Sequence, residues 1–416
     1  MNILIIDDSP LFEKTAETFE KAALCRLAAQ NFAGTEVLAK EFAKLGANVL
    51  LLRPRLSDLD EAFEFFDREG FGQILVPVRH CSKNSEIRLR EGICFSRRIT
   101  ENFPCIAGLF RPDAVILGAV LPFAAFAAAK IAEASGAVLI TELFCPPKEL
   151  LLRLGAVSRI SPVLTALDKA TNCALKKSDG VLGLFPDAQT RFEAAKSLYC
   201  LEQPAPLVRF SFSKEAKSLR ESIATFKDGG AFVLVYCGPL EKGFSIEELV
   251  TVCSGFGNKF ALVFSSFCKE KEYIRRFVLQ KGYTNVFFVD GACSEELSFV
   301  LSAADGIFVS ESVLTKGLLP EHQRFFGAFL TGRPVIACAE KYSEFFRRAG
   351  GVIITKPKNK DSIRLGIKTL MEMTETDREM LGLACKDFAE KNSFSAFAKN
   401  CFSIIDNLVK QKEIKK

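Results

Sequence analysis

Residues 326–337 read FGAFLTGRPVIA, and this stretch decides the fold. The pattern predicts an apolar helix, Phe325 to Leu330, that ends at Gly332. A basic residue and a proline follow, then a short buried-strand run, Val335-Ile336-Ala337. Ahead of the helix stands a polar loop, Lys316 to Arg324, and ahead of that a strand ending in Ser310. A strand, a polar loop at its C-terminal end and a helix N-terminus make the place where open α/β sheets bind phosphate-bearing ligands. The second half of the chain therefore points to a nucleotide-type site.

The same alternation extends in both directions. In the first half, strands are predicted at Ile3–Ile6, Val49–Leu52, Ile74–Val76, Ala114–Leu117, Val138–Ile140 and Gly180–Leu184. Helices fall between them at Thr35–Leu45, Asp58–Glu69, Arg88–Phe103, Phe123–Ser135 and Pro162–Lys177. The second half restarts the pattern, with strands from Phe232–Cys237 to Gly351–Ile354. Short apolar runs alternating with amphipathic segments are the βαβ signature. With 416 residues, two domains are expected. The stretch from Glu202 to Gly230, with Pro204, Pro206 and a charged segment over 214–228, reads as the linker. The expected organisation is an N-terminal Rossmann-like domain over 1–205, a C-terminal one over 206–395, and a final helix with a basic tail over 396–416 that folds back on the first.

Composition narrows the function. Net charge is only +5, which gives no nucleic-acid footprint. The cysteines are scattered and form no CxxC pair, against a structural zinc site or a disulfide framework and in favour of a reducing cytoplasm. The N-terminal MNILIIDDSP has no basic region before its apolar run, so it reads as a first strand and not a signal peptide. The apolar stretch Ala114 to Ala129 is broken by Gly118 and Pro122 and is too short to span a bilayer. Asp58-Leu59-Asp60 reads as a helix cap and solvated face, not as metal ligands.

Several segments, taken in order, resemble family 4-like glycosyltransferases of the GT-B fold, in particular the bacterial branch that builds cell-surface polysaccharide. Ala33-Gly34-Thr35-Glu36 followed by LAKEFAKLGANVLLL is similar to the family's glycine loop and first helix. FRPDAVILGAVLPFAAFAAAKIAEASGAVLI, from Phe110, is similar to its segment of strand, proline, alanine-rich helix and strand. Gly238-Pro239-Leu240-Glu241-Lys242-Gly243, LSAADGIFVSES from Leu301, GAFLTGRPVIA and SEFFRRAGGVII resemble successive parts of its donor domain. The resemblance implies an α/β fold of two Rossmann-like domains facing across a cleft. MNILIIDDSPLF also resembles the start of a response-regulator receiver, but Gly118 stands where the phosphoacceptor aspartate would fall.

Three family positions are changed. The two donor-site glutamates fall on Leu319 and Gly327, and the arginine early in the C-domain falls on Pro239. Lys242, Lys316 and Arg324 are then the expected cations for a diphosphate, with Gly238 and Gly317 lining the loop, His322 near phosphate or ribose, and Glu321 in place of the lost ribose-binding acid. On the acceptor side stand Gly34, Asp8, His80 and Glu142. No catalytic residue is assigned. The expected activity is metal-independent transfer of a sugar from a nucleotide-sugar donor to a glycan or lipid-linked acceptor, with no cofactor. The expected location is the cytoplasm, with weak contact at the inner membrane face through basic-apolar segments such as RLREGICFSRRITENF (Arg88 to Phe103). The alternative is a GT-B protein that has lost transfer with its glutamates and keeps a binding role.

Overall fold

The computed structural model describes residues 1–8, 34–57, 62–68, 70–79, 89–119, 121–184, 197–201, 214–236, 238, 240, 244–265, 271–289, 300–312, 322–340 and 343–414. The chain divides into two compact units, chiefly residues 1–206 with 395–416, and residues 207–316 with 321–394.

The first unit carries β1 (Asn2–Asp7), β2 (Asn48–Ser57), β3 (Glu64–Arg68), β4 (Phe71–Arg79), β5 (Ala114–Ala119), β6 (Val138–Leu143), β7 (Gly180–Gly183) and β8 (Leu198–Cys200). They form one sheet in the order β3-β4-β2-β1-β5-β6-β7-β8, parallel except for the β3–β4 pair. The second unit carries β9 (Phe232–Tyr236), β10 (Phe260–Ser265), β11 (Val286–Val289), β12 (Gly306–Ser310), β13 (Val335–Cys338) and β14 (Val352–Thr355). Its order is β11-β10-β9-β12-β13-β14, all parallel. Each unit is thus a doubly wound, Rossmann-like sheet. The strand order reverses between β1 and β5 in one and between β9 and β12 in the other, and such reversals are where these sheets bind ligands.

Burial on both faces explains the near-continuous apolar strands. In the second sheet Val233, Val235, Ile307, Val309, Val335 and Ala337 face one way. They meet Phe325, Phe326 and Phe329 of the helix His322–Phe329, together with Phe345 and Phe346. Phe325 and Phe346 meet edge to face at 4.8 Å, and Phe326 stacks on Phe388 at 5.8 Å. The intervening residues Leu234, Tyr236, Phe308 and Ile336 turn to the other face, against Leu249, Ile363 and Ile367. The helix stops at Gly332, whose φ of +69° is open to glycine and costly for other residues.

Three aspartates have a structural task. Asp113, Asp179 and Asp305 each stand just before a strand and accept a backbone N–H from the first or second residue of a neighbouring one: Asn2 at 2.7 Å, Leu139 at 2.9 Å and Val233 at 2.8 Å. The carboxylates close the N-terminal ends of the sheets, where edge amides would otherwise lack acceptors.

Two expectations are corrected. The segment Asp58–Glu69, read as a helix, contains β3, which pairs antiparallel with β4 and places Phe65 opposite Ile74. Gly70, at φ +88°, lies in the connection to Phe71. Cross-strand pairing and the run of phenylalanines override the helix-cap pattern at Asp58 and Glu61; residues 58–61 lie outside the described residues. The charged segment over 214–228, read as linker, is the helix Lys214–Asp228, with Ile223 wholly buried in the second core. Its polar residues are the outer face of an amphipathic helix. The last helix, Phe394–Ile414, packs within the first unit: Phe402 lies 5.7 Å from Phe42, and Lys412 donates to the carbonyl of Ala137 at 2.7 Å and to Asp179 at 3.1 Å. Among the described residues no helix is long and apolar enough to cross a membrane.

Candidate functional site

In the second unit the strand-order reversal brings Gly238 and Arg324 together. Gly238 follows β9, and Arg324 lies in the first turn of the helix His322–Phe329. The Arg324 guanidinium donates to the carbonyl of Ser310, the last residue of β12, at 3.1 Å. It also stacks over the Phe244 ring at 5.0 Å. A Cβ at Gly238 would stand 2.9 Å from the Tyr236 hydroxyl and 3.3 Å from Nη1 of Arg324. Gly238 also holds φ at +155°. A planar cation fixed by an aromatic face and a carbonyl, beside a backbone without a side chain, suits an anion that must approach closely. Gly238→Ala should therefore weaken nucleotide binding by about tenfold or more, and the strained backbone and the contact with the buried Tyr236 hydroxyl should also lower the melting temperature of the free protein. Isothermal titration of both proteins checks this.

Beside it lies Glu311, only 2% exposed. Its Oε2 accepts the backbone N–H of Glu340 at 3.1 Å, joining the ends of β12 and β13. Glu311 was missed in the sequence because one acid in SVLTK-type polar surroundings carries no spacing signal.

The first unit is acidic at the equivalent edge. Asp7 ends β1 and pairs with Arg53 of β2 at 2.9 Å, both wholly or almost wholly buried. Arg53 also reaches Glu36 at 3.5 Å, in the first turn of the helix over 34–44 that begins at the buried Gly34. Arg53 interrupts the apolar run VLLLRPRL; a charge inside a buried strand was the signal for it. Asp8 is fully buried, and neither of its carboxylate oxygens has a hydrogen-bond partner among the described residues. Burial first, and the charge of Asp7 second, push its pKa well up, while the backbone amides of Asp8 and Ala124 pull the other way without hydrogen-bonding geometry. Glu142 of β6 is 2% exposed. Burial, then the charge of Asp7, raise its carboxyl to about 8.

This shift sets a sign. The native state keeps the Glu142 proton where the unfolded chain has lost it, so that stability is fully present below pH 4.5 and is lost as pH rises towards 8. Asp8 acts in the same direction. The wild type should lose a few kcal/mol between about pH 5 and pH 8, and Glu142→Gln should remove part of that slope. Denaturant unfolding at the two pH values checks it; parallel slopes in the two proteins would contradict the assignment.

Of the expected donor-side residues, Gly238 and Arg324 are brought together. His322 begins the same helix, while Lys242, Lys316, Gly317 and Glu321 lie outside the described residues. Of the acceptor-side residues, Gly34, Asp8 and Glu142 belong to elements of the first unit, and His80 lies outside the described residues. Among the described residues no group of three histidine, cysteine or acidic side chains could hold a metal ion.

A comparison with protein-family models finds no match. No curated protein matches either. Solved structures do. The chain is similar to sucrose-phosphate synthase from Thermosynechococcus elongatus at a TM-score of 0.66 and 14% identity, over 98% of this chain and 99% of that one. A trehalose-6-phosphate structure from E. coli bound with UDP-2-fluoro glucose matches at 0.63 and 10% identity, over 97% and 99%. HepE from Anabaena, in complex with UDP and glucose, matches at 0.59 and 14%, over 97% and 98%. At these identities the likeness is one of fold, and it extends over nearly the whole of each chain: two Rossmann-like units in the GT-B arrangement of elements.

Proposed function

We propose that this chain is a glycosyltransferase that moves a sugar from a nucleotide diphosphate-sugar to a glycan or lipid-linked acceptor, in the manner of the family 4-like enzymes of polysaccharide synthesis. The observation that carries the reading is Arg324 held beside Gly238 at the strand-order reversal of the second sheet. Bond breaking in such a donor leaves negative charge on a diphosphate, and a preorganised guanidinium stabilises that charge as it forms. In this reading Lys242 and Lys316 add to the positive field, Gly317 and the N-terminus at His322 line the phosphates, and Glu321 serves the ribose. UDP and glucose in the HepE structure and UDP-2-fluoro glucose in the E. coli structure support a donor of this class.

In this reading the acceptor belongs to the first unit, where Asp8 and Glu142 stand near strand ends, with Gly34 and His80 as further acceptor-side candidates. A lipid-linked acceptor would bring the chain to the cytoplasmic membrane face. There the exposed Ile93 and Phe126, in one groove with Arg97 and Lys130, would meet the surface. One observation favours the non-catalytic alternative: Gly327, in the helix His322–Phe329, occupies a position where the family places a glutamate. Release of UDP from UDP-glucose, with EDTA present and a panel of glycan and lipid-linked acceptors, separates the two. Turnover insensitive to EDTA supports the proposal. Binding of UDP without turnover of any UDP-, GDP- or ADP-sugar favours the non-catalytic role.

A further inference from the structure

The first sheet ends on an open strand. β3, with the sequence EFFDR over Glu64–Arg68, pairs with β4 on one side, and no strand among the described residues pairs with it on the other. Arg68 and Phe71 stand opposite each other across a connection of two residues, so they form the hydrogen-bonded pair of a tight hairpin. Hydrogen-bonded and non-hydrogen-bonded pairs alternate along an antiparallel ladder. Glu64, Phe66 and Arg68 therefore direct their backbone groups to β4, while Phe65 and Asp67 turn their N–H and C=O groups outward. Both of these residues are exposed, Phe65 by 67%. An open strand edge beside an exposed aromatic ring is a template for a further strand.

This strand is complementary to itself. With two copies set antiparallel about a two-fold axis at Phe66, the outward groups meet in phase. Phe65 of each copy then faces the partner's Asp67, and each such pair exchanges both its bonds, about four hydrogen bonds in all. The same alignment sets Glu64 opposite the partner's Arg68, twice by symmetry. It also sets the two Phe66 residues opposite each other in a non-hydrogen-bonded pair, with Cα atoms about 4.5 Å apart. Opposite charges and aromatic pairs are favourable cross-strand combinations. On the other face the two Phe65 rings are diagonal neighbours, at about 7–8 Å and within aromatic reach. An axis at Phe65 or at Asp67 sets like residue against like and separates the charged ends.

The charges are available for this contact. Arg68 donates to Oε1 of Gln73 at 3.0 Å and lies over the Phe66 ring at 5.3 Å, with no carboxylate partner among the described residues. Glu64 holds Arg55 at 3.0 Å through Oε1, and its side chain is 42% exposed, which leaves Oε2 for a second cation. Charges on an edge strand commonly keep copies apart. Here the two ends differ in sign, so antiparallel pairing brings attraction at both.

We propose that this edge is an interface between two copies of this chain, in which the β3 strands pair antiparallel about Phe66 and join two eight-stranded sheets into one. The dimer stands whether or not the chain transfers sugar.

Sedimentation velocity of the full chain over a concentration series tests it. The wild type should show a reversible dimer of micromolar strength, in keeping with a small interface. Glu64→Lys sets a lysine against the partner's Arg68, and Arg68→Glu sets two acids against each other. Each variant alone should therefore dimerise about tenfold more weakly or worse. Mixed in equal amounts, the two variants restore opposite charges at both ends, and a heterodimer should form at close to the wild-type strength. Phe65→Ser, at an exposed side chain, should also weaken the dimer. Thermal unfolding of each variant reports whether its fold is kept. A wild-type chain that stays monomeric overturns the proposal, as does a dimer unmoved by either charge reversal. Folded variants that stay monomeric when mixed overturn the pairing of Glu64 with Arg68. If a charge variant fails to fold, Phe65→Ser decides: a dimer of unchanged strength overturns the interface, and a weakened one supports it.

Discussion

Arg324→Lys is expected to weaken nucleotide diphosphate binding by roughly 10- to 100-fold, which corresponds to about 1.5–3 kcal/mol. Lysine keeps the charge, so a loss of this size isolates what the guanidinium adds. Arg324 is held in place from two sides, by the Ser310 carbonyl at 3.1 Å and by the Phe244 ring at 5.0 Å. A flexible ammonium reproduces neither the fork nor the flat stacking surface. The diphosphate would then meet a mobile point charge. The unliganded protein should change little, because the guanidinium sits at the rim of the sheet and is only part-buried. Titration with UDP and with UDP-glucose reads the effect. Unchanged affinity for both would remove Arg324 from the donor site.

Gly382→Ala is expected to produce a large loss of stability in the second unit, about 3 kcal/mol or more. Gly382 lies in the helix Glu375–Lys391, and a Cβ there would stand 2.1 Å from the carbonyl oxygen of Gly332 and 2.6 Å from its carbon. Those are backbone atoms of the turn that ends the helix His322–Phe329, so no side-chain rotation can relieve the contact. Either the helix moves outward or the turn does. Both movements disturb the phenylalanine cluster, since Phe388 of the same helix stacks on Phe326. The donor side would suffer with it, because the helix that carries Arg324 is the one held by that cluster. Thermal and denaturant unfolding should show the second unit destabilised. An unfolding curve like that of the wild type would show that the backbone contact relaxes at little cost.

The two sites differ in how far the sequence revealed them. The strands of the second half were legible because they are short, apolar and bounded by glycine or charge: the run Val335-Ile336-Ala337 is the strand Val335–Cys338. Gly332 announced the helix end because its left-handed backbone favours glycine. β3 was not legible, since its stability comes from pairing with β4 and not from its own propensity. The helix Pro147–Arg153 was also missed. Its seven residues give too few turns for a periodic signal. On the donor side, Gly238 and Arg324 could be named from loop position, yet their proximity could not, because they stand 86 positions apart in the chain. In the first unit, Asp8 and Glu142 were visible as acids at strand ends. The register of Asp7, Gly118 and Glu142 depends on three strands from distant parts of the chain, and the ion pair of Arg53 with Asp7 needed the β1–β2 pairing. The aspartates that close the strands show the converse. Asp113 and Asp305 fall inside segments that resemble the family's, yet like Asp179 each gives a carboxylate oxygen to a backbone amide.

The central claim is a working nucleotide-sugar site in the second unit, and thermal stabilisation of the purified chain by UDP, GDP, ADP and their sugar conjugates tests it most directly. A ligand at about 100 times its dissociation constant adds roughly 2.7 kcal/mol to stability. The account predicts an upward shift with one base, reduced in Arg324→Lys. No shift with any of the three nucleotides or their sugars would contradict it, because a transferase that binds no donor has nothing to transfer.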